Sequence, residues 1–294
     1  MAQARSTLLL IGATQGVGES VIEGLMTQAY SRPLAIHAIS RMPRQPSRSE
    51  NNPLTIQWHA HDLKRSAIDL SADCVISAGP VGLLLQQLEH WGEKHKPRAV
   101  WALSSASPDF KSESLDVRER EQMKDIERAE QALMQHCQRY DINFQLYKTT
   151  MLYGRGDRNV NRLADLMARF RWFPVTGNGR RAPVHVADVA ALLQQQLMVF
   201  LRNETIETGT WRLQGGESFG YRVMLERIAK ARDLKVRLVR LPAAPLVGLL
   251  HLVHATGHLK DIKAQMLARQ AKDLTVDDSE ARAQLQWAPG PFRP

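Results

Sequence analysis

The chain has 294 residues, 44% hydrophobic and 23% charged, with a formal net charge of +9. That balance supports a buried core and excludes a disordered or fibrous chain, and no 18-residue apolar run is present, so no membrane span is expected. The positive charge admits a nucleic acid, a membrane surface or a phosphorylated small molecule, but the Lys and Arg are dispersed and no nucleic-acid-binding motif occurs, so a nucleic acid is not expected.

In chain order, residues 6–11 read as a strand, and 17–29 as a helix with Val17, Val21, Ile22 and Leu25 on one face. "LAIHAIS" (34–40), "LTIQW" (54–58), "CVISAG" (74–79), "AVWALSS" (99–105) and "INFQLY" (142–147) read as five further strands, with helical patterns between them at 81–95 and 115–139. This alternation predicts an α/β fold over 1–150, a Rossmann-type doubly wound parallel sheet whose ligand lies at the carboxyl ends of the strands. Past residue 150 the alternation breaks down, and Gly, Arg and Pro become dense through 154–183. Helical signals return at 186–201 and 221–232, followed by an apolar stretch at 241–258 and a polar tail. Residues 151–294 are therefore expected to form a smaller, substrate-side lobe intertwined with the sheet. "AAPLVGLLHLV" (243–253) is too short to span a bilayer and reads as a core or dimer helix, or as a surface-seeking one. Cys74 and Cys137 lie far apart in apolar contexts, which fits a reducing, cytoplasmic setting and no disulfide framework. The ten histidines show no metal-ligand spacing, so no metal is expected.

The first strand runs into "TLLLIGATQGVGES" (7–20). A strand, a bare turn and a helix N-terminus together make an anion site, because free backbone N–H groups and the helix dipole both face the ligand. Gly12 suits the tight turn, Gly16 the approach of a pyrophosphate and Gly18 the packing of helix on strand, with Thr14, Gln15 and Val17 in the same turn. At the end of the next strand "AISRMPR" offers Ser40, Arg41 and Arg44 and no acid. A carboxylate there suits the ribose hydroxyls of NAD(H), whereas an arginine suits a 2′-phosphate, so NADP(H) is favoured and NAD(H) stays possible. "HDL" (61–63) places Asp62 and Leu63 near the adenine, and Ser77, Ala78, Gly79 and Ser104 stand at the ends of the fourth and fifth strands along the cofactor's path. Ser104 and Ser105 equally suit backbone groups at a strand end.

These pieces resemble the short-chain dehydrogenase/reductase superfamily. "TTMLYGRGDRNVNRL" (149–163), "FPVTGNGRRAPVHVADVA" (173–190) and the tail "DDSEARAQLQWAPGPF" (277–292) are similar to segments of its extended branch, the NAD(P)-dependent epimerase/dehydratase proteins, here in an atypical form. The resemblance implies a small-molecule ligand, a monomer or homodimer, and an oxidoreductase or epimerase-like reaction. Two departures stand out. The glycine spacing is that of the single-domain branch. The Tyr-x-x-x-Lys of the family is missing: matching "AEQALMQ" to its helix puts Gln122 in the Tyr place and Ile126 in the Lys place. Ala106 falls where the family has Ser or Thr, leaving Ser105, Ser107 and Lys124 as weak catalytic candidates. In the "VHVADV" match, His185 and Asp188 are expected to fix a turn and a helix start. Arg155, Arg158, Arg162, Arg180 and Arg181 crowd the segments this branch folds over its substrate, which fits a substrate phosphate or, equally, a solvated basic face. The expected function is thus an atypical NADP(H)-dependent oxidoreductase or epimerase-like enzyme on a small, phosphorylated substrate. The alternative is a noncatalytic NADPH-binding sensor or assembly factor.

Overall fold

The computed structural model describes residues 5–30, 33–42, 47–48, 53–112, 114, 116–243, 246, 267 and 269–294. Arg44 and most of the apolar stretch at 241–258 lie outside the described residues.

The first half alternates strands β1 (Ser6–Ile11), β2 (Leu34–Ser40), β3 (Ser47–Arg48), β4 (Leu54–Ala60), β5 (Cys74–Ser77), β6 (Ala99–Ser105) and β7 (Asn143–Thr149) with helices α1 (Gly16–Thr27), α2 (Val81–Trp91), α3 (Ser107–Lys111) and α4 (Val117–Arg139). The second half adds β8 (Leu152–Tyr153), α5 (Asn159–Phe170), β9 (Trp172–Val175), β10 (Arg180–Arg181), β11 (Val184–His185) and α6 (Val186–Leu201). It continues with β12 (Gly209–Leu213), β13 (Phe219–Gly220), α7 (Tyr221–Ala231), β14 (Arg237–Arg240) and α8 (Ser279–Gln284). The main sheet runs β12-β7-β6-β5-β1-β2-β4-β3, parallel throughout except for the antiparallel β3.

β1 is central and covered on both faces, which is why it reads as an unbroken apolar run. Successive side chains alternate: Leu8 and Leu10 join Val21, Leu25, Leu193 and Leu197 under α1 and α6. Leu9 and Ile11 join Leu84, Leu88 and Leu133 under α2 and α4. A third cluster, with Leu163, Met167, Met224 and Ile228, holds α5, α7 and β9 together as the lobe.

The sequence pattern located six strands but missed β12, whose five residues pair in parallel with β7 through Thr210 beside Leu146. The second half therefore returns to the main sheet through this strand as well as through α6. The pattern also passed over α5, although Val160, Leu163, Ala164 and Met167 recur at helical spacing and are buried. Among the described residues no helix is long and apolar enough to cross a membrane, and no group of three or more His, Cys, Asp or Glu could hold a metal ion. Cys74 and Cys137 are free and buried, and burial pushes the Cys137 thiol up to about 12.

Candidate functional site

A cleft of about 950 Å³ opens at the carboxyl ends of β1, β5, β6 and β7, roofed by the loop after β8, by α5 and by α7. Its first wall is the turn into α1. Gly12 has φ +79° and Gly16 φ +52°, a region that favours glycine. A Cβ on Gly12 would sit 3.2 Å from the Ala78 carbonyl carbon, and one on Gly18 would overlap the Gly12 carbonyl oxygen. The N-cap, Gln15, makes no side-chain capping bond, so its side chain leaves the first-turn N–H groups of α1 to other acceptors. The hydroxyls of Thr14 and Ser40 are bonded at 2.9 Å and tie the turn to the end of β2, while the Met42 N–H donates to Ser40 Oγ at 3.1 Å. The Ala78 N–H donates to the Ile11 carbonyl at 3.0 Å, holding the ends of β1 and β5 together.

Of the expected cofactor residues, Gln15, Gly16, Val17, Ala78, Gly79 and Ser104 stand on the cleft wall. Gly12, Thr14 and Gly18 shape the turn behind it, and Ser77 is buried with no partner for its hydroxyl among the described residues. Arg41 is exposed just past β2. Leu63 is buried, and Asp62 accepts from the Lys64 N–H at 3.1 Å and pairs with Arg65 at 3.9 Å, the geometry of a turn.

The second wall is the end of β6 with α3 and α4. Ser105 Oγ donates to Ser107 Oγ at 2.8 Å and accepts from the Ser107 N–H at 3.0 Å, and both serines face the cleft. Lys124 does not: its ammonium pairs with Glu121 at 3.0 Å on the exposed side of α4. Gln122 is exposed and off the cleft wall, whereas Ile126 and Ala129 are on it. Behind the wall Ser104 Oγ donates to Glu130, which pairs with Lys148 at 3.2 Å. Lys148 reaches Asp109 at 3.4 Å, and Asp109 reaches Arg212 at 2.8 Å. This charge chain, buried at Glu130 and Lys148 and exposed at Arg212, was not foreseen, because its members come from β6, α3, α4, β7 and β12. The tyrosine on the wall, Tyr221, is buried, which raises its hydroxyl to about 12, and Arg181 stacks 5.0 Å from its ring.

The arginines divide by partner. Arg155 faces the cleft but is clamped across α1, 3.5 Å from Glu19 and in contact with Glu23. Its neighbour Gly156, at φ +73°, lies so close that a Cβ there would stand 3.3 Å from Gly16 N. Arg180 is a correction: it lies outside the cleft wall and braces Ser218, donating to its Oγ at 2.9 Å and its carbonyl at 2.7 Å. Arg181 reaches the wall as a strut, donating to the carbonyls of Arg180, Lys272 and Arg269. Arg158 and Arg162, one helical turn apart at the start of α5, line the cleft, and neither guanidinium has a partner among the described residues. Lys111 and Arg269, both unforeseen, also reach the cleft and share Glu119; burial lowers the pKa of Lys111. His185 caps α6, its Nδ1 accepting the Ala187 N–H at 3.2 Å, and Asp188 accepts the Gly290 N–H at 3.1 Å.

No protein-family model and no curated protein sequence matches the chain. Solved structures do. The UDP-glucuronic acid 4-epimerase of Bacillus cereus, in complex with NAD, matches with a TM-score of 0.66 and 15% identity over 97% of this chain and 94% of that one. An epimerase from Methanothermobacter thermautotrophicus matches at 0.65 and 16%, over 99% and 90%. The UDP-glucose 4-epimerase of Thermotoga maritima, with UDP-glucose, matches at 0.62 and 13%, over 97% and 94%. At such identities the likeness is one of fold: along nearly its whole length the chain folds as these epimerases do, the architecture to which its sequence resemblance pointed.

Proposed function

We propose that the chain binds a nicotinamide dinucleotide against the β1–α1 turn, NADP(H) in preference to NAD(H), together with a small phosphorylated substrate, and acts on it as an atypical epimerase-like oxidoreductase. The observation that carries this reading is the cleft itself. A glycine-shaped anion site forms one wall, and two guanidiniums without a partner among the described residues, Arg158 and Arg162, face the same space. The residues fit the cofactor: Gly12 and Gly16 take positive φ, a Cβ on Gly18 would overlap the Gly12 carbonyl, and Arg41 suits a 2′-phosphate. Bound there, the dinucleotide supplies hydride-transfer chemistry. The chain supplies the anion cradle, the hydroxyls of Ser105 and Ser107 on the opposite wall, and Arg158 with Arg162 for the substrate's phosphate. That the solved neighbours are named as epimerases with NAD or UDP-glucose supports the same class of ligand.

One observation favours a second reading. Gln122 and Ile126 leave the two places matched to the family's Tyr and Lys with no group that cycles a proton at neutral pH, so a noncatalytic dinucleotide sensor fits the same cleft. General acid–base help is worth ~10²–10⁴-fold, so oxidation of simple alcohols and epimerisation of UDP-sugars are expected to be slower than usual by about that factor. Titration calorimetry with NADPH and NADH, followed by NADPH oxidation against a panel of phosphorylated carbonyl compounds, tests both readings. Absence of dinucleotide binding overturns the proposal. Binding with no turnover on any carbonyl selects the sensor.

A further inference from the structure

The lobe carries a surface that the cleft does not use. α5 ends at Phe170, and Arg171, in the left-handed conformation at φ +54°, turns the chain straight into β9. β14 lies parallel to β9, with Arg237 beside Trp172, Leu238 beside Phe173 and Val239 beside Pro174. Alternation sends Phe173 and Leu238 inward, against the cluster that contains Met167 and Ile228. Trp172, Arg237 and Val239 are left on the outside, with Trp172 45% and Val239 39% exposed.

Around them stand exposed cations: Arg169, Arg171, Lys235 and Arg237. Among the described residues none of these has a carboxylate partner, and Arg169 only stacks over the Phe170 ring at 5.2 Å. The pairing is different elsewhere on the lobe, where Arg222 pairs with Glu226 at 2.8 Å and Arg227 with Glu217 at 2.9 Å. The face formed by β9 and β14 therefore combines uncompensated positive charge with an exposed indole and an exposed aliphatic side chain.

We propose that this face docks on an anionic lipid bilayer. Indole rings settle at the headgroup level, aliphatic groups enter the acyl boundary, and guanidinium and ammonium groups pair with lipid phosphates and carboxylates. The alternation favours lipid over nucleic acid. Single-stranded nucleic acid is held by stacking successive bases on aromatic side chains, whereas this face offers one exposed indole beside Val239 and Pro174. The docking does not depend on what the cleft binds. α5 joins the two surfaces, with Arg158 and Arg162 at its start and Arg169 near its end, a span of about 18 Å for a helix of this length.

The full chain is tested by flotation with phosphatidylcholine vesicles, with and without phosphatidylserine, across a salt series. Binding is expected only when phosphatidylserine is present, and is expected to weaken with salt. Each cation lost lowers the partition roughly fivefold, so Lys235→Glu with Arg237→Glu is expected to lower it roughly 25-fold or more. Trp172→Ala is expected to weaken binding while leaving the salt dependence unchanged. Lys94→Glu with Arg139→Glu makes the same change of net charge on the sheet half of the molecule and is expected to leave binding within about twofold. Circular dichroism of each variant confirms that it is folded. Three results overturn the proposal: equal binding to neutral vesicles or none to either, equal weakening by the control pair, or a single-stranded RNA bound more tightly than vesicles and lost with Lys235 and Arg237.

Discussion

The two walls of the cleft are held by different kinds of constraint. The β1–α1 wall is made of backbone: Gly12 and Gly16 take positive φ, and Gly18 lies against the Gly12 carbonyl, so the shape of the wall and its identity are the same thing. The β6–α4 wall presents side chains, with Ser105 and Ser107 after β6 and Asp125, Ile126 and Ala129 on α4. α4 stays in place because a different set of its residues, Met123, Leu133 and Cys137, is buried beneath it. Reactive side chains on the cleft face of a packed helix change without disturbing the packing, whereas a backbone cradle cannot change without refolding the turn. Binding and chemistry are therefore separable in this fold.

Four measurements separate the two walls. The largest effect is expected behind the second wall. Lys148→Met leaves Glu130, with a side chain only 7% exposed, without its cation, and the loss of one member of such a pair costs about 3–5 kcal/mol in urea denaturation. The double variant Lys148→Met with Glu130→Gln is expected to recover much of that loss. If Lys148→Met alone is neutral, the charge chain does not hold this wall together. Next comes Gly18→Val on the first wall. Its side chain overlaps the Gly12 carbonyl, costs on the order of 3 kcal/mol and removes dinucleotide binding, as read by denaturation and calorimetry. Wild-type values for both would show that the cradle is not backbone-determined.

Arg41→Glu is expected to act on specificity alone. It removes a charge-assisted partner from a 2′-phosphate and offers the ribose an acceptor, so the ratio of NADPH to NADH affinity falls by about tenfold or more. An unchanged ratio would place the selectivity elsewhere. The smallest effect lies outside both walls and serves as a control. His37 Nδ1 and His59 Nε2 are 3.0 Å apart on β2 and β4. Burial lowers the pKa of both rings, with His59 and Arg5 adding to the effect at His37. Since the folded state disfavours their protonated forms, their contribution is complete above the unfolded value of about 6.5 and is lost as pH falls through the lower folded values. Melting temperature is therefore expected to drop on acidification from pH ~7 to ~5, less steeply in His59→Gln, while dinucleotide affinity stays level. A steeper drop in the variant would contradict this assignment.

The legible features were those written in local pattern. Strands buried on both faces show continuous apolar runs, as in "LLLI" and "LAIHAIS", and the glycine turn shows because only glycine tolerates its backbone. β12 escaped because five residues, "GTWRL", carry little pattern of their own and become a strand by lying beside β7. Lys124 was a candidate from spacing, but spacing along α4 did not say that its ammonium would lie outward beside Glu121.

The arginines draw the same boundary. Sequence alone determined the α/β class, the strands β1, β2, β4, β5, β6 and β7 in chain order, the glycine turn after β1 and the absence of Tyr-x-x-x-Lys, because each of these resides in residue type and near-neighbour spacing. Tertiary structure decided which charges were already spent. Arg155 is held by Glu19 and Glu23, Arg180 by Ser218 and Arg181 by three carbonyls, while Arg158 and Arg162 line the cleft with no partner among the described residues. The physical reason is that an ion pair depends on distance in space, and the partners of these arginines come from elements far away along the chain.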